Sequence, residues 1–318
     1  MRAIAIANGQ LVPIDQPTPQ PGPGEVLLRV AYAGVNRADL LQVAGKYPPP
    51  DGASPLPGME ASGIIEAAQD GWQLGAEVCA LMGGGAYAEY AVAPAAQLLP
   101  LPQGLSLQEA AALPEAAATA YMALVQQAQL QPGERVLVHG GSSGTGNIIA
   151  QVAKALGAEV YATAGGSKKC AALAKQGIHP LDHKAGPWAY SLMSEADGVD
   201  VIIDILGGPQ LPTHLSLLKP GGRLVCLAVM EGAVADGVKM GTILVKHLKI
   251  IGTTLRSRTA AQKAAIIAGV KAEIWPAIAD GRIRPLVDEV FPLEAAEKAH
   301  LRMQERLHLG KILLEVAP

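Results

Sequence analysis

The apolar positions change texture twice along the chain. Before Ser106 they form short runs that alternate in part with polar positions. Arg2–Ala7, Glu25–Gly34, Ala61–Ala67, Glu77–Leu81 and Ala86–Val92 read as strands punctuated by glycine and proline. Many short strands with such turns predict a partly closed, barrel-like β unit. Between them, Lys46–Gly58 (KYPPPDGASPLPG) can be neither helix nor central strand, because its prolines lack the donors. It predicts a long ordered loop, and such loops often carry function.

At Ser106 the pattern shifts to helices and fully apolar strands. Ser106 with Glu109 is a capping box opening an Ala/Leu helix, and a second helix is expected over Ala116–Gln129. Strands then alternate with helices: Arg135–His139, helix Asn147–Leu156, Glu159–Ala164, helix Lys168–Lys175, Val199–Leu206, helix Gln210–Leu218, Gly222–Val229 and Leu248–Thr254. Strands apolar throughout are buried on both faces, so this is a doubly wound parallel sheet in an α/β protein. The tail is mixed again, with helices expected at Ala260–Ala279 and Glu294–Arg306 and strands at Leu286–Phe291 and Lys311–Val316.

Composition narrows the function. Domains of ~100–200 residues make two the natural reading of this length. At 50% hydrophobic and 17% charged residues, disorder is excluded. A net charge of -3 gives no overall basic footprint for nucleic acid, and 3% aromatics provide no stacking platform for a single strand. The three cysteines, Cys79, Cys170 and Cys226, are isolated and build neither a disulfide framework nor a CxxC site. The opening MRAIAIANGQ reads as a strand rather than a signal peptide, and no apolar run reaches the ~18 residues of a membrane span. A soluble, cytoplasmic protein is expected.

The most informative segment is RVLVHGGSSGTGNIIAQVAKALGAEV. Against the pattern GxGxxG, Gly141 and Gly146 take the first and third places and Ser143 the second, followed by Gly144. A strand before, a helix after and a second strand from Glu159 supply the context of a pyrophosphate-binding turn. The second strand ends in Gly165–Gly166–Ser167 with Lys168 and Lys169 next, and no acid stands there for a ribose 2′-hydroxyl. Two cations without a carboxylate favour NADP over NAD. The same turn also fits GxSxG, a nucleophile elbow, with Ser142 as nucleophile and Asp204 and His300 as possible partners. That reading ranks lower, because a β-rich unit precedes the turn and Gly146 has no use in it. His179 and His183 are four apart with Pro180 between them, and are expected in a loop rather than as metal ligands.

GEVLLRVAYAGVNRADLLQVAGKYPPP, PGMEASGII, AALPEAAATAYMAL, the glycine turn, DVIIDILGG and GKILLEV together resemble the medium-chain dehydrogenase/reductase superfamily. The resemblance is to its zinc-free NADPH:quinone oxidoreductase branch, of zeta-crystallin type. It implies a GroES-like catalytic domain over residues 1–117, a Rossmann NADP-binding domain over 118–258, and a return to the first domain over 259–318. Zinc-dependent relatives place a cysteine and a histidine where this chain has Asn36 and Met59, and an amide and a thioether do not replace those ligands. No metal is therefore expected. The resemblance also implies that Asn36 and Tyr47 face the substrate carbonyl, which both can serve as donors. It places Thr119 near the nicotinamide, Ser142, Ser143, Gly144 and Thr145 near the pyrophosphate, and Lys169 on the 2′-phosphate. His183 stands where relatives often carry a tyrosine beside that phosphate. The expected activity is NADPH-dependent, zinc-independent quinone reduction. Enone or enoyl-thioester reduction is the nearest alternative, and a non-enzymatic NADPH-binding structural or RNA-binding role the remoter one. The apolar Leu248–Thr254 looks like a sheet edge through which a homodimer would form.

Overall fold

The computed structural model describes residues 1–68 and 71–316. The chain forms two compact units: Met1–Ala118 with Arg256–Pro318, and Thr119–Leu255.

The first unit is built on a seven-stranded sheet in the order Val287–Pro292, Lys311–Glu315, Glu25–Gly34, Glu60–Ala67, Glu77–Leu81 and Leu98–Pro100, with Tyr90–Pro94 also pairing to Glu25–Gly34. Glu25–Gly34 pairs antiparallel with three strands, and its register shifts twice against Glu60–Ala67. Such bulges bend the strand and let one long segment hold partners on both sides. Arg2–Ala7 and Gln10–Asp15 make a separate hairpin. Val26, Leu28 and Val30 alternate into a core shared with Ile312 and Leu314.

The second unit is a six-stranded parallel sheet, in the order His179–Asp182, Glu159–Ala164, Arg135–Val138, Val199–Asp204, Leu218–Cys226 and Lys249–Gly252. The Glu159–Ala164 strand is buried along almost its whole length. Among the described residues, no helix is long and apolar enough to cross a membrane.

Several expectations are corrected. His179 is not in a loop: it opens the strand His179–Asp182 at one sheet edge, with Pro180 tolerated there because an edge leaves a donor unneeded. The strand expected at Gly222–Val229 begins at Leu218 and absorbs Lys219–Gly222 as a register shift, so KPGG makes a bulge. The strand expected at Ala86–Val92 is Tyr90–Pro94. The long C-terminal helix is divided into Ala260–Gly269, a wider-wound turn Val270–Ile274, and Trp275–Ala279. Pro276 explains the division, since it lacks the donor a continuous helix needs. Helices Arg37–Val43, Trp188–Ala196 and Met240–Lys246 escape the sequence reading.

Candidate functional site

Each unit holds its own set of buried polar side chains. In the first, Asn36 precedes the helix Arg37–Val43, and Asp39 returns a carboxylate oxygen to the Asn36 N–H at 2.7 Å. The Asn36 side-chain amide donates to Glu60 Oε1 at 2.8 Å and to the Gly34 carbonyl at 3.5 Å, while Oδ1 accepts from Lys311 Nζ at 2.7 Å. Lys311 also pairs with Glu60, the two side chains being 3% and 0% exposed. Glu60 Oε2 takes the Glu115 N–H at 2.9 Å. A buried ion pair is tolerable only when its remaining lone pairs and protons are satisfied, and Asn36 does that. Both of its amide protons are thereby used inside the protein. Asn36 thereby braces the Lys311–Glu60 pair.

Asp39 is fully buried and accepts from the Gly58 N–H at 3.2 Å and the Tyr87 hydroxyl at 3.4 Å. Burial pushes its carboxyl up to about 6, against these hydrogen bonds. The Tyr87 hydroxyl also lies 3.1 Å from His300 Nε2, and burial lowers His300 to about 4.

Tyr47 is half-buried at the start of the proline loop. Arg256, 4% exposed, donates to the Tyr47 carbonyl at 3.0 Å, to Gln42 Oε1 at 2.6 Å and to the Gly83 carbonyl at 2.9 and 3.1 Å. Its guanidinium lies 5.3 Å from the centre of the Tyr47 ring. Gln42 in turn donates to the Pro55 carbonyl at 2.9 Å, so the loop is tied at both ends. The Tyr47 hydroxyl has no hydrogen-bond partner among the described residues. Burial raises its phenol, the charge of Glu115 raises it further, and Arg256 opposes both. Glu60, Glu115, Arg256 and Lys311 escape the sequence reading. The signal available was a charged residue inside otherwise apolar strand segments, as in PGMEASG and GKILLEV.

In the second unit the glycine turn follows the strand Arg135–Val138. Ser143 caps the helix Gly144–Ala155, its Oγ accepting the Gly146 N–H at 3.0 Å. The residue with positive φ is Gly140, at +68°, one place before the expected turn position. Gly141 instead packs on Ala162, and Gly146 lies against the Gly140 carbonyl too closely for any side chain. The N-terminus of that helix, with Gly144 and Thr145 in its first turn, suits an anion. Thr119 is 8% exposed in the helix Pro114–Ala120. At the end of Glu159–Ala164, Gly166 opens the helix Ser167–Lys175, which carries Lys169 half-buried in its first turn. A Cβ on Gly165 would meet His183 Nε2 at 3.0 Å and Lys184 Cε at 3.1 Å, so both side chains lie over this glycine. Lys184 also escapes the sequence reading. Asp182 Oδ1 accepts from Gly166 and Lys184 N–H, each at 2.9 Å, and these bonds lower its carboxyl.

His139, His214 and Asp204 form a further buried cluster. His139 Nδ1 is 3.1 Å from Thr163 Oγ1, which also accepts the Gly140 N–H at 3.0 Å. The two histidine Nε2 atoms are 2.9 Å apart, and Asp204 takes the Leu206 N–H at 2.7 Å and the Gly207 N–H at 3.1 Å. Their donor atoms lie within 4.8 Å of one another, a set of types that could hold a metal, but the imidazoles face each other in a hydrogen bond. Burial lowers His214 to about 4, and burial with the neighbouring His214 also lowers His139. The nucleophile-elbow reading of Ser142 loses its partners here: His300 is engaged by Tyr87, and Asp204 by backbone amides.

Family comparison agrees with this architecture. Residues 22–103 match the alcohol dehydrogenase GroES-like domain, and residues 144–268 match the zinc-binding dehydrogenase family. The chain is 32% identical over 311 residues to the quinone oxidoreductase of Rattus norvegicus, covering 94% of this chain and 92% of that protein. It is 30% identical over 322 residues to the human synaptic vesicle membrane protein VAT-1 homolog, covering 94% and 81%. The quinone oxidoreductase of Thermus thermophilus, whose structure was solved with and without NADPH, superposes with a TM-score of 0.86 at 32% identity, covering 99% of this chain and all of that one. The protein is thus a nicotinamide-dependent oxidoreductase that belongs to the medium-chain dehydrogenase/reductase superfamily, in its quinone oxidoreductase-like branch.

Proposed function

We propose that this protein reduces quinones with NADPH and uses no zinc. The observation that carries the zinc-free part is the Lys311–Asn36–Glu60 bridge. Where zinc-dependent relatives would use a cysteine, Asn36 is bound to an ammonium, and Met59 offers only a thioether. Without a Lewis acid the acceptor must itself be electrophilic, and a quinone meets that need.

The bound dihydronicotinamide would supply a hydride. The chain's own residues do the rest. The capped helix terminus at Ser143–Thr145 holds the pyrophosphate. Lys169 reads the 2′-phosphate, and Lys184 and His183 over Gly165 support the same preference. The Tyr47 hydroxyl, without a hydrogen-bond partner among the described residues, donates to the quinone oxygen as it gains charge. Arg256 keeps the Tyr47 loop in place.

Steady-state NADPH oxidation against quinones, enones and aldehydes tests the reading, together with elemental analysis. Quinones should turn over fastest, stoichiometric zinc should be absent, and EDTA should change nothing. An enone reduced faster than every quinone would transfer the assignment to enone reduction. Zinc with chelator-sensitive activity would overturn its metal-free part.

A further inference from the structure

One residue of the neighbouring strand holds the backbone that leads into the glycine turn. Thr163, buried on Glu159–Ala164, takes the Gly140 N–H on Oγ1 at 3.0 Å and the Gly141 N–H on its carbonyl at 2.9 Å. The Gly140 carbonyl in turn accepts the Ser143 N–H at 2.9 Å, and Gly146 packs against that same carbonyl. The start of the helix Gly144–Ala155 is therefore set by Gly140, and Gly140 by Thr163. A glycine has little preference of its own for a positive φ such as the +68° of Gly140, so bonds from outside must fix it. Beyond Thr163 lie His139, His214 and Asp204, all buried. Thr163 Oγ1 is 3.1 Å from His139 Nδ1, the two histidine Nε2 atoms are 2.9 Å apart, and His214 Nδ1 is 4.0 Å from Asp204 Oδ2. His214 Nδ1 has no hydrogen-bond partner among the described residues.

We propose that Thr163, His139 and His214 form a one-way hydrogen-bond relay and act as positioning residues for the cofactor's pyrophosphate. The Thr163 hydroxyl donates to His139 Nδ1. His139 Nε2–H donates to His214 Nε2. His214 carries its proton on Nδ1, facing Asp204. The inference rests on the reading that the turn at Ser143–Thr145 takes the pyrophosphate of a nicotinamide dinucleotide. It adds the groups behind that turn which hold it in its binding shape.

Two independent features set the direction. A hydroxyl has one proton and two lone pairs. Thr163 Oγ1 already accepts from Gly140, and His139 Nδ1 is the acceptor for its proton among the described residues. The reverse relay would leave that proton unpaired in a buried place, which is unfavourable. At the far end, the Asp204 carboxylate is anchored by the Leu206 and Gly207 N–H groups and faces His214 Nδ1. An N–H there presents positive charge to the carboxylate, whereas a bare nitrogen presents a lone pair. At 4.0 Å the contact is too long for a hydrogen bond, so it selects the tautomer by charge alone. One proton lies between the two Nε2 atoms, and burial keeps both rings neutral. Trp188 packs edge-on against His139, with ring centres 5.0 Å apart, which fixes the plane of that imidazole.

The test begins without cofactor. Long-range 15N–1H spectra of the apo protein at neutral pH, assigned through His139→Asn and His214→Asn, should show His139 protonated on Nε2 only and His214 on Nδ1 only. Thr163→Val keeps the side-chain shape without the hydroxyl, so His139 should lose its fixed tautomer there and keep it in Thr163→Ser. In fluorescence titrations Thr163→Val should bind NADPH roughly tenfold more weakly, because the Gly140 N–H is left without its acceptor. NADH should lose the same factor, since the two dinucleotides share the pyrophosphate. His139→Phe should weaken both as well, because the Thr163 hydroxyl then has no acceptor. Thr163→Ser should restore both affinities. A wild-type His139 protonated on Nδ1, or a mixture of tautomers, overturns the relay even where a variant fails to fold. Wild-type NADPH affinity in Thr163→Val overturns the positioning role, and so does a loss that Thr163→Ser fails to repair. Absence of NADPH binding in the wild type would instead overturn the cofactor reading on which the inference rests.

Discussion

Lys311 and Asn36 lie 275 positions apart in the chain, yet Nζ and Oδ1 are 2.7 Å apart in the fold. With Glu60 they close a triangle of ammonium, amide and carboxylate that is almost sealed from water. The triangle joins the last strand to the turn before the first helix.

Removing one corner should be costly. Lys311→Met leaves the Glu60 carboxylate buried without its cation, and breaking such a pair costs about 3–5 kcal/mol. Adding Glu60→Gln to that variant should recover part of the loss. Denaturant unfolding of the single and double variants measures both quantities. A Lys311→Met protein as stable as wild type would mean that Glu60 is held by its hydrogen bonds alone.

His300 should make stability depend on acidity. Burial lowers its folded value to about 4, below the ~6.5 of an unfolded chain. A depressed histidine contributes stability that is fully present above the unfolded value and is lost as pH falls from about 6.5 through about 4. His300→Asn removes that dependence. Its stability deficit relative to wild type should therefore be largest at pH 7 and shrink toward pH 4, as read by urea unfolding across that range. A constant deficit would show that His300 is solvated in the folded protein.

Cofactor preference should rest on Lys169. A charge-assisted bond to a 2′-phosphate is worth about 1.5–3 kcal/mol, or roughly tenfold to a hundredfold in affinity. Lys169→Ala should weaken NADPH by that factor and leave NADH nearly unchanged in fluorescence titrations. Equal losses for both would assign Lys169 to folding.

Tyr47→Phe should lower kcat about tenfold with NADPH affinity intact, less than the ~2.7–4 kcal/mol of an enclosed oxyanion donor because quinones accept hydride readily. Tyr47→Ala should raise KM as well, since Arg256 then stacks on nothing. Full kcat in Tyr47→Phe would remove the hydroxyl from catalysis.

Association should follow the exposed edge. Lys249–Gly252 ends the parallel sheet, with Ile250 44% exposed, and the adjacent Met240–Lys246 helix leaves Leu244 70% and Val245 79% exposed. An unpaired edge with apolar neighbours invites a second copy. Light scattering should give twice the 32.7 kDa chain mass, and Leu244→Glu with Ile250→Lys should give one chain mass. A monomeric wild type at micromolar concentration would count against a dimer.

Local chemistry is legible in the residues themselves. The Ser106–Glu109 box and the glycine turn form from neighbours only a few positions apart, so spacing reveals them. The parallel strands announce themselves because a strand covered on both faces must be apolar throughout. Even there the sequence misplaces detail: the positive φ falls on Gly140, and KPGG is taken into a strand, because neighbouring strands set both. The site of the first unit is legible only in part. Tyr47 stands out for its proline loop, but Arg256, which holds that loop, comes from 209 positions away. The resemblance implies a substrate donor at Asn36, whereas its bonds to Glu60 and Lys311 are legible only in the fold. Which hydrogen bonds a buried amide makes depends on the charges that packing places against it, and Glu60 and Lys311 reach Asn36 only once three distant segments share one sheet.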